Sequence, residues 1–330
     1  MREKLYVNIL KEYGLSYKKL THREVTSRLG DYRETLVFDQ QWVLRISSLT
    51  AMTEERISKL NQLIERYRSF GIYAPSFRKT LRGNYIVTAK DKIYYLTEYA
   101  DYTLASNTQM DRKTIFYQKI EHLGRFASRY TNQELMQTRS MWSILDLAPL
   151  DKDVDEKQEN CNSLISSLRE ISEEPLAKQI EEFNQKNRDE IQKVFHELPR
   201  CVFQGDLNDS NILMKDGEFF GLIDFNMAGT EVNINCFLSE TAPELEEEDL
   251  VHLSASEILS KMILEWDEAL KVIFKNYSLT PVEQKVFENY RNLILISQYP
   301  YVCAYTFYLK GEYRAKVLEL LNLIIGREES

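Results

Sequence analysis

The spacing of apolar residues changes character near residue 100, and that change limits the fold more than any other feature. Before it, short runs rich in β-branched and aromatic residues follow one another: Val25-Thr-Ser-Arg-Leu, Glu34-Thr-Leu-Val-Phe, Gln41-Trp-Val-Leu-Arg-Ile-Ser, Ser76–Thr80, Tyr85–Ala89 and Lys92–Tyr99. Separated by turn residues at Gly30-Asp31, Asp39-Gln40-Gln41 and Arg82-Gly-Asn, these runs predict strands of a small sheet. Two helices accompany them. The first fifteen residues place Leu5, Ile9, Leu10 and Tyr13 on one side. The second helix opens at Thr53, a good N-cap, and carries Ile57, Leu60, Leu63, Ile64 and Tyr67 at three- and four-residue spacings before Gly71 and Pro75 stop it.

After residue 100 the spacing becomes helical, beginning with Thr114–Tyr130, and only 11 glycines and 7 prolines punctuate the 330 residues. Asp151–Gln158 reads as a charged linker, and Pro199-Arg200 ends a helical run. Val202–Phe225 returns to short strands and turns, and the remaining hundred residues are mostly helix. The outline is α+β: a β-rich first part, residues 1–100, and a larger helical part, residues 101–330.

Composition narrows the class of function. Asp and Glu number 51 against 42 Lys and Arg, a net charge of −9, which suits general nucleic-acid binding poorly because that binding rests on neutralising phosphates. The same charge tolerates a cationic small molecule. No apolar run approaches the roughly 18 residues of a membrane span. The first ten residues mix charges with apolar positions and lack a signal-peptide core, so the expected compartment is the cytoplasm. Cys161, Cys201, Cys236 and Cys303 show no C-x-x-C spacing, and His22, His122, His196 and His252 are not paired at i, i+4. Reduced thiols and no zinc site are expected.

Chemistry concentrates in Val202–Phe225. Asp206 follows Gly205, Asn211 lies five residues on, and Asp224-Phe225 closes the segment. Ile212-Leu-Met and Phe219–Ile223 read as two strands joined at Lys215-Asp-Gly, a hairpin that would bring Asn211 beside Asp224. A carboxylate and an amide oxygen converging there suit a hard cation such as Mg²⁺, and Asp206 on the preceding loop suits a substrate hydroxyl proton.

These residues resemble the signature of the aminoglycoside phosphotransferase/choline kinase family, His-Gly-Asp-x-x-x-x-Asn followed by Ile-Asp-Phe. Here it stands as Gln204-Gly205-Asp206-Leu207-Asn208-Asp209-Ser210-Asn211 and Ile223-Asp224-Phe225. In outline the resemblance spans nearly the whole chain. It implies a protein-kinase-like bilobal fold, ATP (or GTP) and Mg²⁺ as cofactors, Asp206 as the catalytic base or hydroxyl-orienting residue, and Asn211 and Asp224 as the metal ligands. It further implies that Arg45, on the third strand, takes the place of a lysine at the α/β-phosphates. Gly30 falls in the phosphate loop Ser27–Tyr32, and Glu98 and Tyr99 fall in the hinge strand whose backbone meets the adenine edge.

The chain departs from the pattern at several points. Gln204 replaces histidine, and Asn233 and Asn235 stand where another aspartate is usual. The helix glutamate that would pair with the strand cation falls near Asn61 or Gln62, with Glu54, Glu55 and Glu65 as alternatives. The acidic run Glu240, Glu244 and Glu246–Asp249 reads as a helix start capped by Thr241, or as an attraction for an amine. The aromatic stretch Tyr299–Tyr308 reads as helix core with exposed tyrosine tips, or as a pocket lining. The expected activity is transfer of the γ-phosphate of ATP to a hydroxyl of an aminoglycoside, amino alcohol or sugar. A kinase-like module that has lost efficient transfer is the alternative.

Overall fold

The computed structural model describes residues 2–28, 31–48, 52–146 and 154–327. They divide into two compact units, residues 1–110 with 206–225, and residues 111–205 with 226–330. The chain thus leaves the first unit at Met110 and returns to it for the segment that carries the chemistry.

The first unit opens with helix α1 (Arg2–Glu12), followed by β1 (Leu20–Arg28), β2 (Asp31–Phe38) and β3 (Trp42–Ser48). Helix α2 (Glu54–Ser69) comes next, then β4 (Phe77–Arg78), β5 (Ile86–Ala89), β6 (Lys92–Glu98) and β7 (Thr103–Leu104). Strands β1 to β6 form one antiparallel sheet in the order β1-β2-β3-β6-β4, with β5 also on β6. The expected turn at Asp39-Gln40 is present, with both residues at φ 53°, the left-handed geometry of a tight hairpin. Alternation sorts each strand by face. Leu36, Phe38, Leu44, Ile46, Tyr94 and Leu96 are buried with Ile9 and Leu10 of α1 and with Tyr13 just after it. The Tyr13 hydroxyl donates to the carbonyls of Tyr85 (2.7 Å) and Tyr94 (3.0 Å), tying α1 to the sheet.

Helix α2 follows its sequence signals closely. The Thr53 side chain accepts from the Arg56 N–H, and Ile57, Leu60, Leu63, Ile64 and Tyr67 are buried. Other boundaries shift. Strand β1 begins at Leu20 rather than Val25, and the run Ser76–Thr80 shrinks to two paired residues.

The second unit is mostly helical: α3 (Arg112–Tyr130), α4 (Glu156–Glu170) and α5 (Glu174–Gln192) precede β8 (Arg200–Phe203). The first unit then receives β9 (Ile212–Lys215) and β10 (Glu218–Leu222), which form a three-stranded sheet in the order β10-β9-β7. Back in the second unit, β11 (Gly229–Val232) pairs with β8. Helices α6 (Asn233–Thr241), α7 (Glu247–His252), α8 (Ala255–Phe274), α9 (Pro281–Ser297), α10 (Tyr299–Tyr308) and α11 (Arg314–Gly326) complete it.

Two readings are corrected here. Residues 154–158 are not a linker: Asp155 caps α4, and its carboxylate accepts from both terminal guanidinium nitrogens of buried Arg188 at 2.6 and 2.8 Å. Thr241 is not an N-cap; it ends α6, where its hydroxyl donates to the Phe237 carbonyl at 2.6 Å. The aromatic stretch is core at Tyr301 and Tyr305, whose hydroxyls reach the carbonyls of Pro243 (2.5 Å) and Leu295 (3.1 Å), and exposed at Tyr299 and Phe307. All four cysteines are free thiols. Among the described residues no helix is long and apolar enough to cross a membrane.

Candidate active site

The β9–β10 hairpin turns at Asp216 (φ 52°) and Gly217 (φ 82°), as its Lys215-Asp-Gly sequence predicts. Residue 73 fixes it within the first unit. The Tyr73 N–H donates to the Phe220 carbonyl (3.0 Å), the Leu222 N–H donates back to the Tyr73 carbonyl (2.8 Å), and the Tyr73 and Phe220 rings stack. Gly221 permits this approach, since a Cβ there would lie 2.4 Å from the Tyr73 carbonyl oxygen.

At the open end of the hairpin the Ile223 N–H donates to the Asn211 carbonyl at 2.9 Å, which sets Asp224 next to Asn211. Asp224 adopts φ 56°, a conformation Asp tolerates better than bulkier residues. Phe225 after it is buried, its ring 5.5 Å from that of Tyr67 on α2.

Asp206 and Asn211 are in direct contact. Asn211 Nδ2 donates to Asp206 Oδ2 at 2.8 Å and to the Asp206 carbonyl at 3.0 Å. Asn208, a residue the sequence reading did not single out, donates to Asp206 Oδ1 at 2.6 Å and accepts the Ser210 N–H at 2.9 Å. Its signal was the Asn-Asp-Ser run, typical of turns closed by side chain to backbone bonds. With its amide nitrogen engaged by Asp206, Asn211 keeps its side-chain oxygen as a donor atom for a cation. That oxygen and the Asp224 carboxylate are hard ligands, which fits Mg²⁺, an ion that takes few protein ligands alongside phosphate oxygens. Among the described residues no three His, Cys, Asp or Glu side chains converge as a closed metal cage.

Arg45 completes the group. Its Nη1 lies 3.2 Å from Asp224 Oδ2. Burial opposes the guanidinium charge, but the Asp224 carboxylate outweighs it and holds Arg45 above its ordinary value. The first unit therefore brings together Arg45, Asp206, Asn211 and Asp224 from three separate stretches of chain.

The other expected site residues are Glu98, Tyr99 and Gly30. The Glu98 carboxylate accepts from Arg68 Nη2 (2.5 Å) and the Ser76 N–H (3.2 Å). The backbone N–H groups of Glu98 and Tyr99 bond to the carbonyls of Ser76 (3.2 Å) and Gln41 (2.8 Å), so in this state both are occupied within the unit. Gly30 falls outside the described residues. Of the helix positions, Asn61 accepts the Phe77 N–H at 3.1 Å and Glu54 accepts those of Tyr85 and Ile86 at 2.9 and 2.7 Å. Glu65 accepts from the Ser76 hydroxyl at 3.1 Å. Asp224 thus takes the strand cation where a helix glutamate was expected.

In the second unit, the residues leading into the loop are fixed by backbone geometry. Gly205 has φ 85°, and a Cβ on it would lie 2.4 Å from the Met227 carbonyl oxygen. Trp142 Nε1 donates to the Gly205 carbonyl at 2.6 Å, and Gln204 is fully buried. Asn233 bonds to Thr131 and Tyr277, and Asn235 to the Trp142 carbonyl, each at 2.8 to 2.9 Å. Both are buried in the framework of this unit.

The sequence profile of the Phosphotransferase enzyme family, known as APH, matches residues 29–231, more than half of the chain. The chain belongs to this family. No curated protein matches this phosphotransferase. Among solved structures it is similar to the amicoumacin kinase hAmiN in complex with AMP-PNP, Ca²⁺ and Ami, at 14% identity and a TM-score of 0.55, with 99% of this chain and 96% of that one covered. It is also similar to a microcompartment-associated aminopropanol kinase, at 12% identity and TM-score 0.51, covering 99% and 96%. Spectinomycin phosphotransferase APH(9)-Ia, in complex with ADP and spectinomycin, matches at 11% identity and TM-score 0.50, covering 97% and 98%. At these identities the likeness establishes the fold, the protein-kinase-like α+β fold expected from the sequence.

Proposed function

We propose that this phosphotransferase moves the γ-phosphoryl group of ATP to a hydroxyl of a small molecule, with Mg²⁺ as the cofactor. One observation carries the reading: Asp206, Asn211, Asp224 and Arg45 converge in the first unit, with Asn211 bonded to Asp206 and Arg45 bonded to Asp224. Bound Mg²⁺ would neutralise charge developing on the phosphate oxygens. Asn211 Oδ1 and the Asp224 carboxylate would hold it. Arg45 would exchange Asp224 for the α/β-phosphates, to which a guanidinium bonds through a fork of N–H groups. Asp206, steadied by the Asn208 and Asn211 amides, would orient the acceptor hydroxyl and take its proton. Positioning of this kind supplies most of the rate in phosphoryl transfer.

Gly30 in the phosphate loop, and Glu98 and Tyr99 as the segment facing the base, enter this proposal by position in the chain alone. ATP use is supported by similar structures solved with AMP-PNP or ADP. A small-molecule acceptor is supported by relatives named for amicoumacin, spectinomycin and aminopropanol. The acidic run gives no ground for choosing a cationic acceptor. Glu240 pairs with Lys119 (3.1 Å), Asp249 with Lys261 (2.7 Å), and Glu244, Glu247 and Glu248 are exposed to solvent.

The test is ADP release from ATP and Mg²⁺ across a panel of aminoglycosides, amino alcohols and sugars. At least one acceptor should raise the rate above the acceptor-free control, and the gain should vanish in Asp206→Ala. ATP binding without stimulation by any acceptor would favour a kinase-like binding module instead.

A further inference from the structure

The sheet of the first unit has two unlike faces. One is buried against α1. On the other, the register sets Thr35 opposite Arg45 and Arg45 opposite Tyr95, with Arg33 opposite Ser47 one step along. Side chains alternate along strands, so Arg33, Thr35, Arg45, Ser47 and Tyr95 stand on the same face. Arg33 and Arg45 are diagonal neighbours there, with Cα atoms about 7–8 Å apart, within reach of one extended anion.

Two observations mark this face as more than a structural surface. Ser47 is only 5% exposed, and its hydroxyl oxygen is buried with no hydrogen-bond partner. A buried hydroxyl left so is unusual. The second observation is a gathering of cations in a chain of net charge −9. Burial pushes the Tyr95 hydroxyl up, while the charges of Arg45, Arg33 and Arg56 draw it down and Asp224 adds to the rise. Three guanidinium groups therefore act on one hydroxyl. The carboxylates bearing on Arg45 are Asp224 and Glu24, the latter opposite Thr35 on β1.

We propose that Arg33 is a second polyphosphate-binding cation, forming with Arg45 and the Ser47 hydroxyl the seat of the nucleotide's phosphates on this sheet face. This rests on the reading of the protein as an ATP-dependent phosphotransferase. A guanidinium standing on β2 supplies donors from a rigid element, in the forked geometry that matches a phosphate edge. Ser47 adds a neutral donor.

Titration calorimetry of the whole protein with ATP, ADP and adenosine, with and without Mg²⁺, tests this. Arg33→Ala should weaken ATP and ADP by roughly ten- to hundredfold and leave adenosine unchanged. Arg33→Lys should recover part of the loss, and Ser47→Ala should weaken ATP by a smaller factor. Arg82→Ala, an exposed arginine of the same unit, should change nothing. If the unaltered protein binds ATP and Arg33→Ala binds it equally well, the inference fails while the broader reading stands. Equal loss of ATP and adenosine in Arg33→Ala, with a lowered melting temperature, would make Arg33 structural and overturn it as well. Failure of the unaltered protein to bind any nucleotide would overturn both.

Discussion

Asp224 Oδ2 lies 3.2 Å from Arg45 Nη1, joining residues 179 apart in sequence. In the proposed reaction each has another partner, Mg²⁺ for the carboxylate and phosphate for the guanidinium, so this ion pair is the arrangement that the nucleotide displaces. Arg45→Ala should therefore weaken ATP more than adenosine. Calorimetry comparing the two ligands checks it, and equal weakening would point to lost packing.

Asp206 contacts Asn208 and Asn211, whose amides hold its carboxylate. Asp206→Ala should lower turnover by about 10²–10⁴-fold, the range of a lost general base. The rise in melting temperature on adding ATP and Mg²⁺ should persist in that variant. Turnover near the unaltered rate would remove Asp206 from the mechanism.

These expectations show where the sequence was legible. The hairpin turn at Asp216-Gly217 and the Thr53 cap of α2 were readable because their determinants lie within a few residues. The start of α4 was not, because Asp155 depends on Arg188, 33 residues away. The same holds for the partner of Arg45. Distance along the chain pointed to Asn61 or Gln62 on α2, neither acidic, whereas the hairpin, held by Tyr73, delivers Asp224. Arg33, which the β2–β3 register sets diagonal to Arg45, was not singled out in the sequence. Nothing in the sequence showed that Ser47 would be buried beside it without a partner.

Breaking the Asp155–Arg188 pair should destabilise the second unit. Both side chains are under 10% exposed, so Asp155→Ala leaves a buried guanidinium without its carboxylate and should cost about 3–5 kcal/mol. Chemical denaturation checks the loss. A change below about 1 kcal/mol would mean that water replaces the carboxylate.

Glu34 should shape stability at acid pH. Burial pushes its carboxyl up, but hydrogen bonds from Tyr32, Arg23 and Tyr6 outweigh this and hold it below the usual carboxylate range. The folded value is lower than the unfolded one, so the contribution is complete above about pH 4.3 and fades as the pH falls through the folded value. Melting temperature against pH should show a shallower acid limb in Glu34→Gln than in the unaltered protein. Identical slopes would exclude Glu34 as a source of acid sensitivity.

Gly205 is required by geometry. Gly205→Ala would force a Cβ to 2.4 Å from the Met227 carbonyl oxygen at a left-handed φ, so the melting temperature should fall. An unchanged melting temperature would show that the backbone around Met227 yields.

The most direct test of the account is a thermal shift of the purified protein with millimolar ATP, with and without Mg²⁺, beside Asp224→Ala. Ligand at 100 times its dissociation constant stabilises the native state by about 2.7 kcal/mol, enough to read as a clear rise in melting temperature. The account predicts a Mg²⁺-dependent rise in the unaltered protein that is lost in Asp224→Ala. A flat response to ATP, or a rise that Asp224→Ala retains in full, would contradict it.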